Sequence, residues 1–347
     1  MHERFSVLYS IAGGRVEAAA RAEDICIEQT IEFPAKFVRS DFIRGHVFGR
    51  IESLERIGGR RYAAKISFDL EVSGSEFTQF LNVIFGNISL KPGVRVEDIE
   101  LSDGLYAILK GPRFGREGLR KLTGIRKRAL LCTALKPLGL SSKELAGLAY
   151  NFALGGIDMI KDDHGVADQC FAPFEERVEL CAEAIRKADA ETGFKTIYIP
   201  NVTAPTGKII ERARFARKCG AGGLLIAPGL TGFDAVRALA DDDSIALPIF
   251  SHPSFQGSFV VNPESGISHY ALFGLLNRLA GADAAIFPNF GGRFSFSEEE
   301  CRGIVRGTGV EKGGIERIFP CPGGGMSLKR VPEMIAFYGA DVILLIG

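Results

Sequence analysis

LKPLGLSSKELAGLAYNFALGGIDMIKDDH, residues 135–164, is the stretch that decides the fold of this chain. The apolar segment at 129–136 predicts a strand, and a Pro-Leu-Gly turn then leads into an amphipathic helical pattern at 142–154. Two glycines end that helix, and the apolar segment at 156–163 predicts a second strand. The stretch is therefore one βαβ unit, whose two strands are expected to run parallel.

Both predicted strands end in charged residues. Lys136 closes the first strand, and Lys161, Asp162, Asp163 and His164 close and follow the second. Ligands of α/β proteins bind at the carboxyl ends of parallel strands, and alternation along a strand puts Lys161 and Asp163 on one face and Asp162 on the other. A solvated strand end would explain the second cluster alone, but a lysine at the end of both strands favours a functional site.

The alternation of strand and helix continues from residue 129 to the end of the chain. The strand patterns lie at 129–136, 156–163, 196–203, 222–228, 246–252, 283–289, 317–322 and 341–347. Further helical patterns lie at 174–191, 206–219, 231–241, 264–280, 297–307 and 327–338. This order predicts an α/β protein with a (β/α)8 TIM barrel. The last helix of such a barrel is absent from this chain, which stops on the eighth strand pattern.

The first 120 residues have a different pattern. Strand patterns lie at 5–11, 46–57 and 61–72, and helical patterns at 14–22 and about 74–84. They predict a small α+β, ferredoxin-like domain with an antiparallel sheet. The basic, glycine-rich segment 112–128 shows no apolar periodicity and is predicted to be a linker. We therefore expect two domains, residues 1–120 and a catalytic barrel at 121–347.

The composition restricts the partners and the compartment. Lys and Arg total 42 and Asp and Glu total 42, so the formal net charge is zero and argues against nucleic acid or membrane surfaces as partners. The seven cysteines are scattered and form no CxxC pair, a pattern typical of reduced, buried thiols in a cytoplasmic protein. We expect no signal peptide and no membrane span, because no apolar run is long enough.

A barrel gathers its catalytic groups at the carboxyl ends of its strands. The candidates there are Lys136, Lys161, Asp163, His164, Asn201, Ser251, His252, Asn289, Arg293, Gly323, Gly324, Gly325 and Gly347. Cations beside carboxylates and imidazoles imply a metal, an anionic substrate or both. The three consecutive glycines precede a helical pattern, so their backbone N–H groups suit a phosphate, although a plain turn would use the same residues.

The metal candidates are Lys161, Asp163 and His164. Oxygen ligands near a lysine suit Mg²⁺, whereas the imidazole of His164 suits Mn²⁺ or another transition ion better. His164 is alternatively a strand-end histidine bonded to the backbone. His252 is a candidate acid, base or phosphate ligand, with ordinary packing as the alternative.

Several motifs resemble a known family. KPLGLS, GGIDMIKDD and the segment from GGGM to VPEMIAFYGADVILLIG resemble the large subunit of RuBisCO, and FPNFGGRFSFS resembles the non-carboxylating RuBisCO-like proteins of form IV. The resemblance spans nearly the whole chain. It implies that Lys136 acts on an enolate, that Lys161 is carbamylated and that Asp163 binds magnesium.

The resemblance extends to other positions. It implies that Arg293 lies near the family's mobile-loop lysine and that Gly324, Gly325 and Gly347 belong to the loop for one phosphate. Asn87 matches an asparagine that enters the active site of a partner subunit. A homodimer or larger assembly with shared active sites is therefore implied.

Three departures from the family pattern restrict the activity. His164 stands where RuBisCO has a glutamate ligand, Leu138 replaces a lysine that protonates the carboxylation product, and Pro253 replaces an arginine that grips a second phosphate. We therefore expect no CO2 fixation and a substrate with a single phosphate.

From these features we predict a carbon–carbon lyase, which decarboxylates or cleaves a singly phosphorylated 3-oxo sugar acid such as 3-oxo-isoapionate 4-phosphate through a metal-stabilised enediolate. The methionine-salvage enolases carry a lysine base where Asn87 stands, which argues against that activity. The alternatives are an enolase or isomerase of a methionine-salvage ketose 1-phosphate, a Schiff-base aldolase using Lys136 or Lys161, and a non-catalytic binding barrel.

Overall fold

The computed structural model describes residues 3–311 and 313–347. Its strands are β1 (Arg4–Ala12), β2 (Arg50–Gly58), β3 (Arg61–Asp69), β4 (Val94–Glu100), β5 (Leu130–Leu135), β6 (Met159–Asp162), β7 (Ile197–Ile199), β8 (Leu224–Ile226), β9 (Ile249–Ser251), β10 (Gly266–Ile267), β11 (Ala284–Pro288), β12 (Phe319–Gly323) and β13 (Ile343–Leu345).

The α-helices are α1 (Arg15–Glu28), α2 (Leu70–Ser73), α3 (Phe77–Phe85), α4 (Asp103–Leu109), α5 (Gly115–Thr123), α6 (Ser142–Leu154), α7 (Phe174–Thr192), α8 (Thr206–Cys219), α9 (Pro228–Thr231), α10 (Phe233–Asp241), α11 (Gly257–Val260), α12 (Asn277–Leu279), α13 (Glu298–Gly309) and α14 (Val331–Tyr338). Short 3-10 segments lie at Ala35–Phe37, Asn87–Leu90 and Leu328–Arg330, and π-helical segments at Ile43–Val47 and Tyr270–Leu276. None of the helices in the described residues is long and apolar enough to cross a membrane.

The chain forms two compact units. The first contains residues 1–110, 256–272 and 311–315, and the second contains the remaining residues from Gly111 to Gly347. The division lies ten residues before the predicted boundary at 120, and the sequence pattern did not indicate that two later segments join the first unit.

A five-stranded sheet in the order β10-β4-β1-β3-β2 dominates the first unit. Strand β1 runs antiparallel to both β3 and β4, and alternation along it buries Phe5, Val7, Tyr9 and Ile11. The predicted antiparallel sheet is therefore present.

Two features of this unit differ from the sequence prediction. Strand β4 was not predicted, and residues 264–280, predicted as one helix, begin with strand β10. Strand β10 pairs in parallel with β4 through Gly266 and Arg95 and through Ile267 and Val96. A pairing between residues 171 positions apart in the chain leaves no local periodicity, so the sequence prediction followed the helical pattern instead.

The second unit is a (β/α)8 barrel, as predicted. Its strands form two parallel four-stranded sheets, ordered β13-β5-β6-β7 and β12-β11-β9-β8. A bridge between Asn201 and Leu225 joins β7 to β8, and Gly323 of β12 lies against Leu345 of β13. Inward-facing apolar side chains such as Met159, Phe250 and Phe319 fill the interior.

The segment predicted to be a linker is partly helical. Helix α5 buries Leu119 in the barrel core, and Arg120, only 6% exposed, pairs with Asp341 at 2.6 Å and lies over the ring of Phe319. The sequence pattern did not predict this helix because the segment is basic. The helix has few buried positions, one of them a paired arginine, and it lacks the broad apolar face of a typical helix.

Local chemistry explains the helix of the opening βαβ unit. The hydroxyl of Ser141 accepts the backbone N–H of Glu144, and the Glu144 carboxylate accepts the backbone N–H of Ser141 at 2.8 Å. This capping box starts α6 at Ser142, the predicted position. Strands β5 and β6 then pair in parallel, with Leu135 opposite Asp162.

Candidate active site

Lys136 and Asp163 are the first residues beyond β5 and β6. Because Leu135 pairs with Asp162, the two side chains emerge side by side, and Lys136 Nζ lies 3.2 Å from Asp163 Oδ2. Burial alone would raise the pKa of Asp163, but the N–H of Gly165 and the charges of Lys161 and its neighbours outweigh burial and lower it. Asp163 is therefore a carboxylate that holds a lysine at the strand ends.

Lys161 lies deep in the barrel. It is 2% exposed, and its Nζ donates to the backbone carbonyl of Asp162 at 3.0 Å. Burial lowers the pKa of Lys161, although Cys132 and Asp163 act in the opposite direction. Burial of this kind shifts a lysine toward its neutral amine, which is the form that reacts with CO2 or a carbonyl group.

Asp162 points away from Lys161, as alternation predicts. Its carboxylate accepts from Arg177 Nε at 3.2 Å, from the Tyr198 hydroxyl at 2.9 Å and from the backbone N–H of Asn201 at 3.0 Å. The side chains of Asp162 and Arg177 are both completely buried. This network supports the site from outside the barrel interior, and the sequence patterns did not identify Arg177 or Tyr198.

Asn201 connects that network to the loop after β6. Its amide Nδ2 donates to the carbonyl oxygens of His164 at 3.1 Å and Val166 at 3.0 Å. Asn201 was expected at a strand end; its side chain holds the backbone beside Asp163 and His164 and is a positioning group.

His164 and His252 come together across the barrel mouth. Their rings stack with centroids 4.3 Å apart at an interplanar angle of 13°. His164 Nδ1 lies 3.2 Å from Asp163 Oδ1. His252 Nδ1 lies 2.7 Å from the hydroxyl oxygen of Ser254 and 3.2 Å from its backbone nitrogen.

The surroundings favour the neutral form of both imidazoles. Burial, followed by the positive charge of Lys161, lowers the pKa of His252 well below its ordinary value. Burial also lowers the pKa of His164, with Lys161, Lys136 and Arg293 adding to the effect and Asp163 opposing it. Two neutral imidazoles beside a cationic lysine can accept and return protons.

The loops after β11 and β12 approach each other backbone to backbone. An ideal Cβ on Gly292 would lie 2.1 Å from the carbonyl oxygen of Gly324, and one on Gly325 would lie 2.8 Å from the Cα of Gly292. Gly324 and Gly325 have φ angles of +74° and +99°, a region that favours glycine. The close contact requires glycine at all three positions of these two loops.

Other predicted residues have the following positions. Arg293 is exposed beyond β11, and its guanidinium lies 5.0 Å from the ring centre of Phe294. Gly347 follows β13 and lies next to Ala134 of β5. An ideal Cβ on Gly347 would lie 3.5 Å from the backbone nitrogen of Ala134. Ser251 bonds to Asn277 at 2.5 Å and Asn289 accepts from Tyr338 at 2.6 Å. Both of these polar side chains are buried.

Asn87 belongs to the first unit. Its amide nitrogen donates to the carboxylates of Glu28 at 3.2 Å and Glu32 at 3.1 Å. The predicted role as a hydrogen-bond donor to a substrate in a partner's site stays a prediction, and these two contacts would compete with it.

The expected metal site is incomplete in the unmodified chain. Within residues 3–311 and 313–347, no group of three or more His, Cys, Asp and Glu side chains could hold a metal ion. Asp163 and His164 supply two donors, and Lys161 as an amine points to a carbonyl. The residues as they stand therefore do not fit the predicted magnesium ion, and a carbamate on Lys161 would add a third donor.

The chain is similar to a set of known proteins. The family described as ribulose bisphosphate carboxylase large chain, catalytic domain, matches residues 115–347. The chain is 39% identical over 347 residues to ribulose bisphosphate carboxylase-like protein 1 of Rhodopseudomonas palustris, covering 100% of this chain and 92% of the relative. It is 38% identical over 348 residues to 5-methylthioribulose-1-phosphate isomerase of Rhodospirillum rubrum, covering 100% and 91%. It is 32% identical over 346 residues to 2,3-diketo-5-methylthiopentyl-1-phosphate enolase of Geobacillus thermodenitrificans, covering 94% and 83%.

Solved structures agree with the fold. A Rubisco-like protein from Rhodopseudomonas palustris superposes with a TM-score of 0.92 at 37% identity, covering 100% of this chain and 94% of that chain. An octameric Rubisco from Pyrococcus horikoshii OT3 superposes with a TM-score of 0.90 at 28% identity, covering 99% and 82%.

The predicted carbon–carbon lyase activity is wrong in the light of these relatives. The relatives compared by sequence that are named for an activity other than that of RuBisCO are an isomerase and enolases of phosphorylated methylthio sugars, not carbon–carbon lyases. The resemblance implied a loop for one phosphate and a lysine that acts on an enolate, and these two features are compatible with either chemistry, so the motifs did not distinguish them.

Proposed function

Because the chain belongs to the RuBisCO large-chain family as a RuBisCO-like protein, we propose that it is an isomerase acting on a ketose 1-phosphate of the 5-methylthioribulose 1-phosphate class. The observation that carries this proposal is the cluster of Lys136, Asp163, His164 and His252 at the barrel mouth. Full-length similarity to an isomerase of that substrate supports it.

The cluster has the groups that proton transfer next to a carbonyl requires. One neutral imidazole takes a proton from the carbon beside the carbonyl, and the electron pair of that C–H bond forms an enediolate. The Lys136 ammonium, held by Asp163, stabilises the negative oxygen. The proton of the neighbouring hydroxyl then moves to the former carbonyl oxygen, and the imidazole returns its proton to the former carbonyl carbon. The carbonyl is thereby moved by one position without a net oxidant, reductant or leaving group.

The loops containing Gly292, Gly324 and Gly325 would bind the single phosphate. Their close backbone contact leaves no room for side chains, and backbone N–H groups in such loops hold anions. Binding energy from the phosphate then positions the reacting carbons at the imidazoles.

An enolase is the second candidate, because several relatives have that name. The resemblance places a lysine base of those enolases at the position of Asn87. Here an amide stands there and donates to Glu28 and Glu32, and an amide cannot act as that base. This difference favours the isomerase.

Deuterium exchange tests the proposal. The protein is incubated with 5-methylthioribulose 1-phosphate in D2O, with bicarbonate and Mg²⁺ present, and followed by proton and phosphorus NMR. We expect an isomeric ketose phosphate with deuterium at a carbon beside the carbonyl, and no product with Lys136→Met. Absence of both exchange and product overturns the proposal. Turnover of 2,3-diketo-5-methylthiopentyl 1-phosphate instead establishes the enolase.

A further inference from the structure

Asn289 joins the ends of two neighbouring barrel strands. It is the first residue after β11 and is completely buried. Ala284 and Ile286 of that strand face the barrel interior, so alternation directs the side chain of Asn289 outward, toward the surrounding helices. Its backbone N–H donates to the carbonyl oxygen of Gly323, the last residue of β12, at 2.8 Å. Asn289 therefore holds the two strands together at the point where the two glycine loops begin.

Helix α14 binds the side chain of Asn289. The hydroxyl of Tyr338 donates to Asn289 Oδ1 at 2.6 Å, and Asn289 Nδ2 donates to the sulfur of Met334 at 3.0 Å. Both residues of the helix are buried. Each end of the amide thus has a partner on α14, as a buried amide requires, and the two bonds fix its orientation.

The next residue of the loop contacts the same helix. The ring of Phe290 packs against that of Phe337, with centroids 4.5 Å apart. Arg330, which immediately precedes α14, donates to the backbone carbonyl of Phe290 at 3.2 Å, and its guanidinium lies 5.5 Å from the centre of the Phe290 ring. Helix α14 and the residue before it therefore fix the first two residues of the loop after β11.

The position of this loop determines the position of its neighbour. Gly292 lies three residues after Asn289, and an ideal Cβ on it would lie 2.1 Å from the carbonyl oxygen of Gly324. Loops in such close backbone contact cannot move independently. A shift of Asn289 would therefore change the spacing of the backbone N–H groups that would face one phosphate.

We propose, on the basis of the phosphate loops of the proposed function, that Asn289 is a positioning residue for the substrate phosphate, with Tyr338 and Met334 holding its amide. Asn289 acts through the backbone of the two loops and not by touching the phosphate. Loss of the Tyr338 hydroxyl would leave Asn289 Oδ1 buried without a donor, which is unfavourable, and the amide would shift. The loops would then lose the spacing that suits the anion.

Isothermal titration calorimetry of the full chain with inorganic phosphate tests this inference. We expect saturable binding by the wild type at millimolar concentration or below. Tyr338→Phe removes only the hydroxyl, and Met334→Leu keeps the volume but removes the sulfur acceptor. Each should bind phosphate at least about fivefold more weakly. In steady-state kinetics, each should also raise KM for the phosphorylated ketose, with a smaller change in kcat.

Tyr9→Phe is the matched control. It also removes a buried hydroxyl, which donates to the carbonyl oxygen of Ile84 at 2.7 Å in the first unit. This variant should lose stability but bind phosphate as the wild type does. An equal loss of phosphate affinity in Tyr9→Phe would show a general effect of destabilisation and overturn the inference.

The remaining outcomes separate this inference from the proposed function. Wild-type phosphate affinity in Tyr338→Phe overturns the inference alone, and wild-type affinity in Met334→Leu overturns it even if Tyr338→Phe fails to fold. No phosphate binding by the wild type overturns the inference together with the phosphate loops of the proposed function. Calorimetry needs no turnover, so the comparison decides the role of Asn289 whether or not the isomerase assignment is correct.

Discussion

The rings of His164 and His252 stack 4.3 Å apart and 13° from parallel, although their positions lie 88 residues apart in the chain. The stack joins the loop after β6 to the loop after β9. A positive charge on one ring disfavours a positive charge on the other, and the nearby lysines act in the same direction.

We expect the acid limb of the activity profile below pH 6.5, the ordinary imidazole value. A lowered pKa means that the neutral base persists to lower pH, so activity is lost only when the pH falls through the lowered value. Replacing His164 by Asn removes one cause of the shift and should move the limb to higher pH. The measurement is kcat/KM against pH, compared by shape. An acid limb at the same pH in the wild type and in His164→Asn would contradict the coupling between the two rings. His46→Gln, in the first unit, is the control and should leave the limb where it is in the wild type.

Gly324→Ala should raise KM for the phosphorylated substrate about tenfold or more, with a smaller effect on kcat. The new Cβ would lie 3.1 Å from the ring of Phe294, inside the proposed phosphate loop. Gly339→Ala is the matched control, because its φ of +73° equals that of Gly324 within a degree and nothing lies within 4 Å of its Cβ. Equal KM values in steady-state kinetics of the two variants would remove the phosphate from this loop.

Magnesium binding should depend on bicarbonate. Asp163 and His164 are only two donors, and a carbamate on the Lys161 amine, whose pKa burial lowers, would supply a third. Calorimetric titration with Mg²⁺ is expected to show markedly tighter binding in bicarbonate for the wild type, with no such gain for Lys161→Met. Equally tight binding without bicarbonate would show that the carbamate is not a ligand.

Asp283 should make the fold less stable as the pH rises from about 4 to about 6. The carboxyl is completely buried and accepts backbone N–H groups of Phe114, Gly115 and Ile249, yet burial outweighs these bonds and raises its pKa from 3.8 to about 6. Between these pH values the carboxyl loses its proton in the unfolded chain but keeps it in the native state. The free energy of unfolding therefore falls by about 3 kcal/mol.

Urea unfolding of the wild type and of Asp283→Asn at several pH values checks this prediction. The difference between their free energies of unfolding should change by about 3 kcal/mol from about pH 4 to about pH 6. Asp242→Asn is the control of opposite sign. Hydrogen bonds from Ser244 lower the pKa of Asp242, so Asp242 stabilises the wild type above its ordinary pKa and loses that effect as the pH falls. A pH-independent difference for Asp283→Asn would contradict the prediction.

Subunit mixing tests whether the active site is shared. Asn87→Ala and Lys136→Met are each expected to be inactive alone, and exchanged subunits should recover part of the activity because one of the two sites is intact. Octameric and dimeric assemblies among the solved relatives make such a pairing reasonable. No recovery after verified exchange would leave Asn87 as a polar group bonded to Glu28 and Glu32.

The order of strands and helices in the barrel could be predicted from the sequence because it depends on local patterns of residues. Apolar runs and 3.6-residue patterns need only neighbouring residues, so helices such as Ser142–Leu154 and Thr206–Cys219 begin and end where predicted. The grouping of Lys136, Lys161, Asp163 and His164 followed from one geometric rule, since parallel neighbours end at the same edge.

Only the tertiary structure decided the contacts that give these residues their chemistry. The stack of His164 on His252, the network from Arg177 and Tyr198 to Asp162, and the pairing of β10 with β4 each join segments distant in the chain. Periodicity carries no information about such pairs. Burial, which determines whether Lys161 and the imidazoles are charged, likewise depends on every element packed around them.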